Sequence, residues 1–331
     1  MAKKLAKQAT ANPSYYSLLN AVSIAASMQN KDGLEYERYC IIKDGWLLAS
    51  NAAGVSVGIP LKGIDIETVP NTDQLLKALS VESDFTMSIE RNHLHIRASK
   101  FKAKVNCLAL DDIFEPVPDF GDQTNSFTDN IGARFKTALK LAYEFAAGVN
   151  EFAGVQLADG LACATDRKSA IQIYHGVDTP PLLLPAEFCK QVSKLPFNLS
   201  SISWSDKSAT LHYGNGVWFK TSLLRGSLPD INKVLPFDDC DNELPKNFFA
   251  AIAAIKPFSE SNRIYFRGDS ICTDESGDCN YELETFETGC FNAEYLERLK
   301  GVADTYYIDD DGRMLYFFGD KLRGAIAGYK T

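Results

Sequence analysis

Apolar residues recur along this chain with two periods, and the two alternate. Across 129–147, Ile131, Phe135, Ala138, Leu139, Ala142, Phe145 and Ala146 share one face at helical spacing, which predicts an amphipathic helix. Similar stripes predict helices over 14–28 and 245–255, the latter carrying Phe248, Phe249, Ile252 and Ile255. Three further helix starts combine a Pro or Asn, an acid in the first turn and a following apolar run, at 69–77 (VPNTDQLLK), 184–190 (LPAEFCK) and 291–297 (FNAEYLE). Period-two runs between the helices predict hairpins of 94–98 with 101–107, 209–213 with 217–223, and 314–318 with 322–327.

The pattern repeats. The segment 44–51 (DGWLLASN) recurs as 159–166 (DGLACATD) and, more faintly, as 268–274 (GDSICTD). Each copy is a turn, a short strand and a terminal Ser or Thr followed by Asn or Asp. The helix starts and hairpins follow in the same order after each. Prolines at 116 and 118, and again over 229–236, mark the joints. The expected fold is α+β, with three tandem domains at 1–122, 123–240 and 241–331.

The middle copy carries 152–157 (FAGVQL), 161–170 (LACATDRKSA), 183–188 (LLPAEF) and 219–236 (FKTSLLRGSLPDINKVLP), and the third carries 291–296 (FNAEYL). In these motifs the chain resembles the bacterial-type DNA sliding clamp, the beta subunit of DNA polymerase III. The resemblance implies three clamp-like domains with helices on an inner face and antiparallel sheets outside. Two chains join head to tail as a homodimer, so that six domains close a ring around double-stranded DNA. Such a ring binds DNA without regard to sequence, is placed there by a clamp loader and tethers a DNA polymerase. It implies no catalysis and no cofactor. The family's Gly-His-Arg-Leu after Ala-Thr-Asp is replaced by 167–170 (RKSA), and its Met-Pro-rich end by 326–331 (IAGYKT). These departures and the short chain suggest a divergent or phage-encoded member, working in the cytoplasm of a bacterial or infected cell.

By motif, the resemblance assigns a partner-peptide pocket to Phe152, Thr165, Arg167, Lys168, Ala170, Pro229, Lys233 and Val234, with a C-terminal wall from about Ala325 to Tyr329 that includes Ile326. It assigns ring closure to Phe114 of one chain against Ala254, Ile255 and Phe258 of the other. A pocket for apolar peptides needs exposed apolar surface with a polar rim.

Charge bears on the DNA reading. The 331 residues carry a net charge of −9, which argues against a surface coated in nucleic acid. The distribution is uneven. The six expected helices, extended to 14–29, 72–80, 129–147, 185–195, 245–256 and 292–300, hold ten basic residues, Lys77, Arg134, Lys136, Lys140, Lys190, Lys194, Lys246, Lys256, Arg298 and Lys300, against six acids. An acidic body with basic helices suits a sleeve that grips phosphates and reads no bases. The first helix, which has no charge, fits this less well and leaves open a clamp-fold docking scaffold that does not encircle DNA.

Other signals are weak. The eight cysteines form no C-x-x-C pair and sit mostly in apolar runs, as reduced, largely buried thiols do. His93 and His95 share a strand face but lack a third metal ligand in sequence. The run 309–312 (DDDG) lacks the alternate-residue spacing of a calcium loop and predicts a hairpin turn. No G-x-S-x-G or H-E-x-x-H motif occurs, and no apolar run approaches the ~18 residues of a membrane span.

Overall fold

Ser17 opens the first helix, α1 (Leu18–Met28), its hydroxyl accepting a hydrogen bond from the Asn20 amide at 3.3 Å. The structure, a computed structural model, describes residues 5–6, 17–29, 34–112, 115–118, 131–235, 239–285 and 287–330. A two-residue strand, β1 (Leu5–Ala6), precedes α1, and three strands come after it: β2 (Ile41–Lys43), β3 (Trp46–Ser50) and β4 (Val55–Pro60). Then β5 (Val69–Pro70) leads into α2 (Thr72–Leu79), capped by Asn71, and β6 (Phe85–Glu90), β7 (His93–Ala98) and β8 (Lys102–Leu108) follow.

The same order recurs twice. The second copy runs α3 (Gly132–Ala142), β9 (Gly154–Ala158), β10 (Leu161–Thr165), β11 (Ser169–Tyr174), β12 (Leu182–Pro185), α4 (Ala186–Lys194), β13 (Leu199–Trp204), β14 (Ser208–Tyr213) and β15 (Trp218–Ser222). The third runs α5 (Phe248–Ile255), β16 (Arg263–Arg267), β17 (Ser270–Cys272), β18 (Asn280–Glu282), β19 (Thr288–Asn292), α6 (Ala293–Glu297), β20 (Thr305–Ile308), β21 (Met314–Gly319) and β22 (Leu322–Ala327).

The repeated sequence motif has a local cause. Asp44 and Gly45 turn β2 into β3 with φ of 50° and 78°, and Asp159 and Gly160 turn β9 into β10 with φ of 50° and 77°. Both are the doubly left-handed turns that match strand twist. At the other end of the motif, Asn51, Asp166 and Asp274 each accept a backbone amide through Oδ1, from Val55, Ser169 and Gly277 at 3.1, 2.7 and 2.8 Å. These side-chain turns start the return strands.

The chain forms two compact units, 1–133 with 194–223, and 134–193 with 224–331. The grouping follows the sheets, each long one drawing strands from two successive copies. In the first unit a six-stranded antiparallel sheet runs β13-β14-β15-β4-β3-β2, beside a second of order β1-β6-β7-β8-β5. In the second unit the orders are β12-β9-β10-β11-β22-β21-β20 and β18-β17-β16-β19. The joints are equivalent: the last strand of a copy pairs with the third strand of the copy before it, β15 with β4 and β22 with β11. The expected boundary at 122/123 lies outside the described residues, and each long sheet takes strands from both sides of an expected boundary.

In the first unit α1 buries Ala21, Val22, Ala25 and Met28, lies over β3 and β4, and packs on α2, which buries Leu75, Ala78 and Leu79. In the second, Phe145 stacks on Phe317 at 5.7 Å, Phe248 meets Phe266 and Tyr306 at 6.0 and 6.2 Å, and Phe291 meets Phe266 edge-on at 5.6 Å. Burying each such ring stabilises the fold by ~1.5–3 kcal/mol.

All eight thiols are unpaired. Cys40, Cys189, Cys272 and Cys290 are buried and the other four partly so; burial pushes the Cys40 pKa up to about 12. Among the described residues no helix is long and apolar enough to cross a membrane.

Candidate functional site

The turn between β10 and β11 builds the lip of an apolar cleft. Thr165 Oγ1 donates to the Ser169 carbonyl at 2.7 Å and accepts from the Arg167 amide at 3.1 Å. Asp166 Oδ1 accepts from the Lys168 and Ser169 amides at 3.0 and 2.7 Å and from the Ser169 hydroxyl at 2.9 Å. Asp166 Oδ2 accepts from Arg298 Nη1 at 3.0 Å. Burial pushes the Asp166 carboxyl upward, but Arg298 and the Ser169 and Lys168 donors outweigh it and hold its pKa below the usual value. Arg167 sits in this turn at φ 73°, its guanidinium 4.2 Å over the Phe152 ring.

The cleft encloses about 440 Å³. Its floor is made where β11 meets β22, with Ala170 opposite Ala325, and small side chains there leave the room. Phe152, Pro229, Ile231, Val234 and Met314 supply apolar walls, while Arg167, Lys168 and Glu151 are the charged groups of its lining. Val234 is 43% exposed although apolar. The amide of Ala327 donates to the Lys168 carbonyl at 2.7 Å, tying the end of β22 to the lip.

Seven of the expected pocket residues line this cleft: Phe152, Thr165, Arg167, Lys168, Ala170, Pro229 and Val234. Three do not. Lys233 is exposed on the 3-10 turn Ile231–Lys233, outside the lining. Ile326 is wholly buried: side chains alternate along a strand, and the lining positions of β22 are its neighbours Ala325 and Ala327. Tyr329 lies under the Arg263 guanidinium at 4.2 Å, and its amide donates to the Cys290 carbonyl. Ala325 and Ala327 supply the C-terminal wall expected over 325–329, and Glu151, Ser169, Ile231 and Met314 are members that the sequence did not single out.

The basic residues divide. Lys140, Lys194, Lys246 and Lys300 are exposed, and Lys136 is partly shielded, burial lowering its pKa. Lys77, Arg134, Lys190 and Lys256 form surface ion pairs with Asp73, Asp320, Glu187 and Glu297 at 3.9, 3.1, 3.4 and 2.7 Å. Such pairs contribute at most ~1 kcal/mol and yield readily to a phosphate. Arg298 differs: it is engaged with Asp166 and Ser169 in the body of the unit, because the turn between β10 and β11 lies within its reach.

Of the ring-closing set, Phe258 is 67% exposed and Ala254 is exposed. Ile255 is 3% exposed and belongs to the core of its own unit, where α5 turns it inward with Phe248 and Ile252. Phe114 lies outside the described residues. The His93 and His95 rings are 6.5 Å apart, and among the described residues no cluster of three metal-ligating side chains forms. Asp309 Oδ1 accepts the Arg313 and Met314 amides, as a hairpin turn requires.

No family model matches the chain, and a search of curated proteins finds no relative. Solved structures do match. The DNA polymerase III subunit beta of Pseudomonas aeruginosa is 12% identical, with all of each chain covered and a TM-score of 0.78. The sliding clamp of Bartonella birtlesii bound to griselimycin is 14% identical over 95% of this chain and 97% of that one, with a TM-score of 0.79. The Helicobacter pylori beta clamp bound to a DNA ligase peptide is 17% identical over 95% and 98%, with a TM-score of 0.76. At such identities the likeness speaks for architecture, and it spans the chain: the fold is that of the DNA polymerase III beta-subunit sliding clamps.

Proposed function

We propose that this protein is a DNA sliding clamp, a divergent one: a non-catalytic processivity factor that encircles duplex DNA and tethers a polymerase through the apolar cleft. The observation that carries the reading is the threefold element order with its two unmatched edges. Inside the chain, the last strand of one copy completes the sheet of the copy before. By that rule, among the described residues, β8 of the first copy lacks an acceptor and β18 of the third lacks a donor. There β18 ends its sheet, and β8 meets β5 only at Cys107 and Leu108. A second chain offers each edge its counterpart, so two chains close head to tail with two equivalent joints. Lys102 and Lys104 on β8 complement Asp278, Glu282 and Glu284 in and around β18.

Within such a ring, exposed helix lysines would hold phosphates without reading bases, so the clamp could slide. The cleft would receive an apolar partner segment, as the DNA ligase peptide of the Helicobacter pylori clamp suggests. A polymerase and a clamp loader are the partners this function requires. Light scattering over a dilution series tests the assembly, and trapping on circular but not linear DNA tests encirclement. A mass fixed near 36.5 kDa with no trapping would sink the reading. The uncharged α1 favours one rival, a docking scaffold of the same fold, which would bind peptides as a monomer and never be retained on a circle.

A further inference from the structure

We propose that Arg298 is a positioning residue for the apolar cleft, bracing the Asp166 turn from the end of α6 and so fixing the Arg167 and Lys168 lip. The inference rests on the cleft being a peptide site and deepens it.

Arg298 Nη1 donates to Asp166 Oδ2 at 3.0 Å and to Ser169 Oγ at 3.1 Å. The two charged side chains are only 25% and 10% exposed, so the pair is poorly screened by solvent. The guanidinium lies 4.4 Å over the Tyr295 ring and 5.8 Å from that of Phe145, which holds its plane before the carboxylate is met. Asp166 thus spends one oxygen on Arg298 and the other on the turn's own amides.

The turn needs such support. Arg167 occupies the left-handed region, which is strained for a non-glycine residue and persists only where neighbours over-determine it. In that conformation its guanidinium reaches the Phe152 ring and becomes a wall of the cleft. A loosened Asp166 would release Arg167 and Lys168 together, although Arg298 does not line the cleft. The cleft's apolar walls with Arg167, Lys168 and Glu151 beside them make an apolar peptide the suitable probe.

The test compares Arg298→Ala, Arg298→Lys, Asp166→Asn and the Arg298→Ala/Asp166→Asn double variant in the full chain. The probe is a fluorescent peptide of two leucines, one phenylalanine and one aspartate, read by anisotropy. Amide exchange at Lys168 and Ser169 reports the turn, retention on circular DNA reports ring function, and thermal melting reports folding. Arg298→Ala should weaken the probe about three- to tenfold and speed exchange at both amides, leaving DNA retention unchanged. Arg298→Lys should recover part of the affinity, and the double variant should lose less than the two single losses combined. Unchanged affinity and exchange in Arg298→Ala, or a loss confined to DNA retention, would overturn the proposal. If the wild-type protein does not bind the probe, the peptide reading falls; the exchange rates then decide the brace alone, and unchanged rates overturn it.

Discussion

The guanidinium of Arg167 lies 4.2 Å over the ring of Phe152, across the mouth of the cleft that Val234 and Pro229 flank. A cation resting on an aromatic face gives the mouth both an apolar wall and a charged edge. A charge placed among the apolar walls would have to be desolvated when a peptide enters. Val234→Glu should therefore abolish binding of an apolar peptide, while Val234, being 43% exposed, can change without cost to the core. Anisotropy with a labelled peptide and a thermal melt check both halves. Unaltered affinity would remove the cleft from the function.

Gly58 pairs with Trp218 where β4 meets β15, the joint between the first two copies. A Cβ at Gly58 would fall inside the indole ring. Trp218 is buried and cannot swing away without opening the cluster it forms with Ile41, Leu48 and Val69. Gly58→Ala should destabilise the first unit by about 1–3 kcal/mol, as overpacking does. Urea unfolding followed by tryptophan fluorescence would register it; an unshifted midpoint would mean that the indole has room to move.

His175 is buried against Phe135, ring centroids 4.8 Å apart, and its Nδ1 accepts the Val177 amide at 3.1 Å. Burial lowers its pKa from 6.5 to about 4, so the folded protein keeps it neutral while the unfolded chain protonates it. Its contribution is complete above pH 6.5 and is lost as the pH falls towards 4, by up to ~3 kcal/mol. Melting temperatures of the wild type should drop across that window, and those of His175→Gln should drop less. Parallel curves would place the acid sensitivity elsewhere.

Much of this was legible in the sequence because the local code is strong. Asp-Gly turns, the Asn or Asp after each strand and the Pro-flanked helix starts all act within a few residues, and the three expected hairpins are β7–β8, β14–β15 and β21–β22. Seven cleft residues were found because two motifs converge there. What escaped depends on distance or on facing. Arg298 reaches Asp166 across 132 positions, and no periodicity announces a bond of that span. Ile255 sits in an almost wholly apolar helix (FFAAIAAI), where hydrophobicity does not say which side is in. The pairing of β15 with β4 is likewise non-local, and it is what merges the copies into shared sheets.

The unmatched edges make the assembly testable. If β8 joins β18 of a second chain, Lys102 and Lys104 approach an acidic border at Asp278, Glu282 and Glu284. Reversing both as Lys102→Glu with Lys104→Glu should turn attraction into repulsion and shift the mass from dimer to monomer at micromolar protein. Both lysines are exposed, so the melting of the isolated chain should hardly change. Adding salt should narrow the difference from wild type, since screening weakens exposed charges over ~8–10 Å. A double variant that remains dimeric would place closure on the Phe258 surface instead.

Lys136 and Lys140 lie one turn apart on α3, on the side away from buried Phe135 and Leu139. Lys140 is exposed and Lys136 partly shielded, so neither substitution opens the core. If they hold phosphates, each carries part of a non-specific grip whose affinity falls with salt by a slope of about 0.9 per neutralised phosphate. Lys136→Glu with Lys140→Glu should therefore shorten retention on a closed circle and flatten its salt dependence, while peptide binding at the cleft stays as it was. Retention lost together with dimerisation would point to damaged assembly, so the mass must be measured alongside. With the dimer intact, an unchanged salt slope would show that α3 does not touch the DNA.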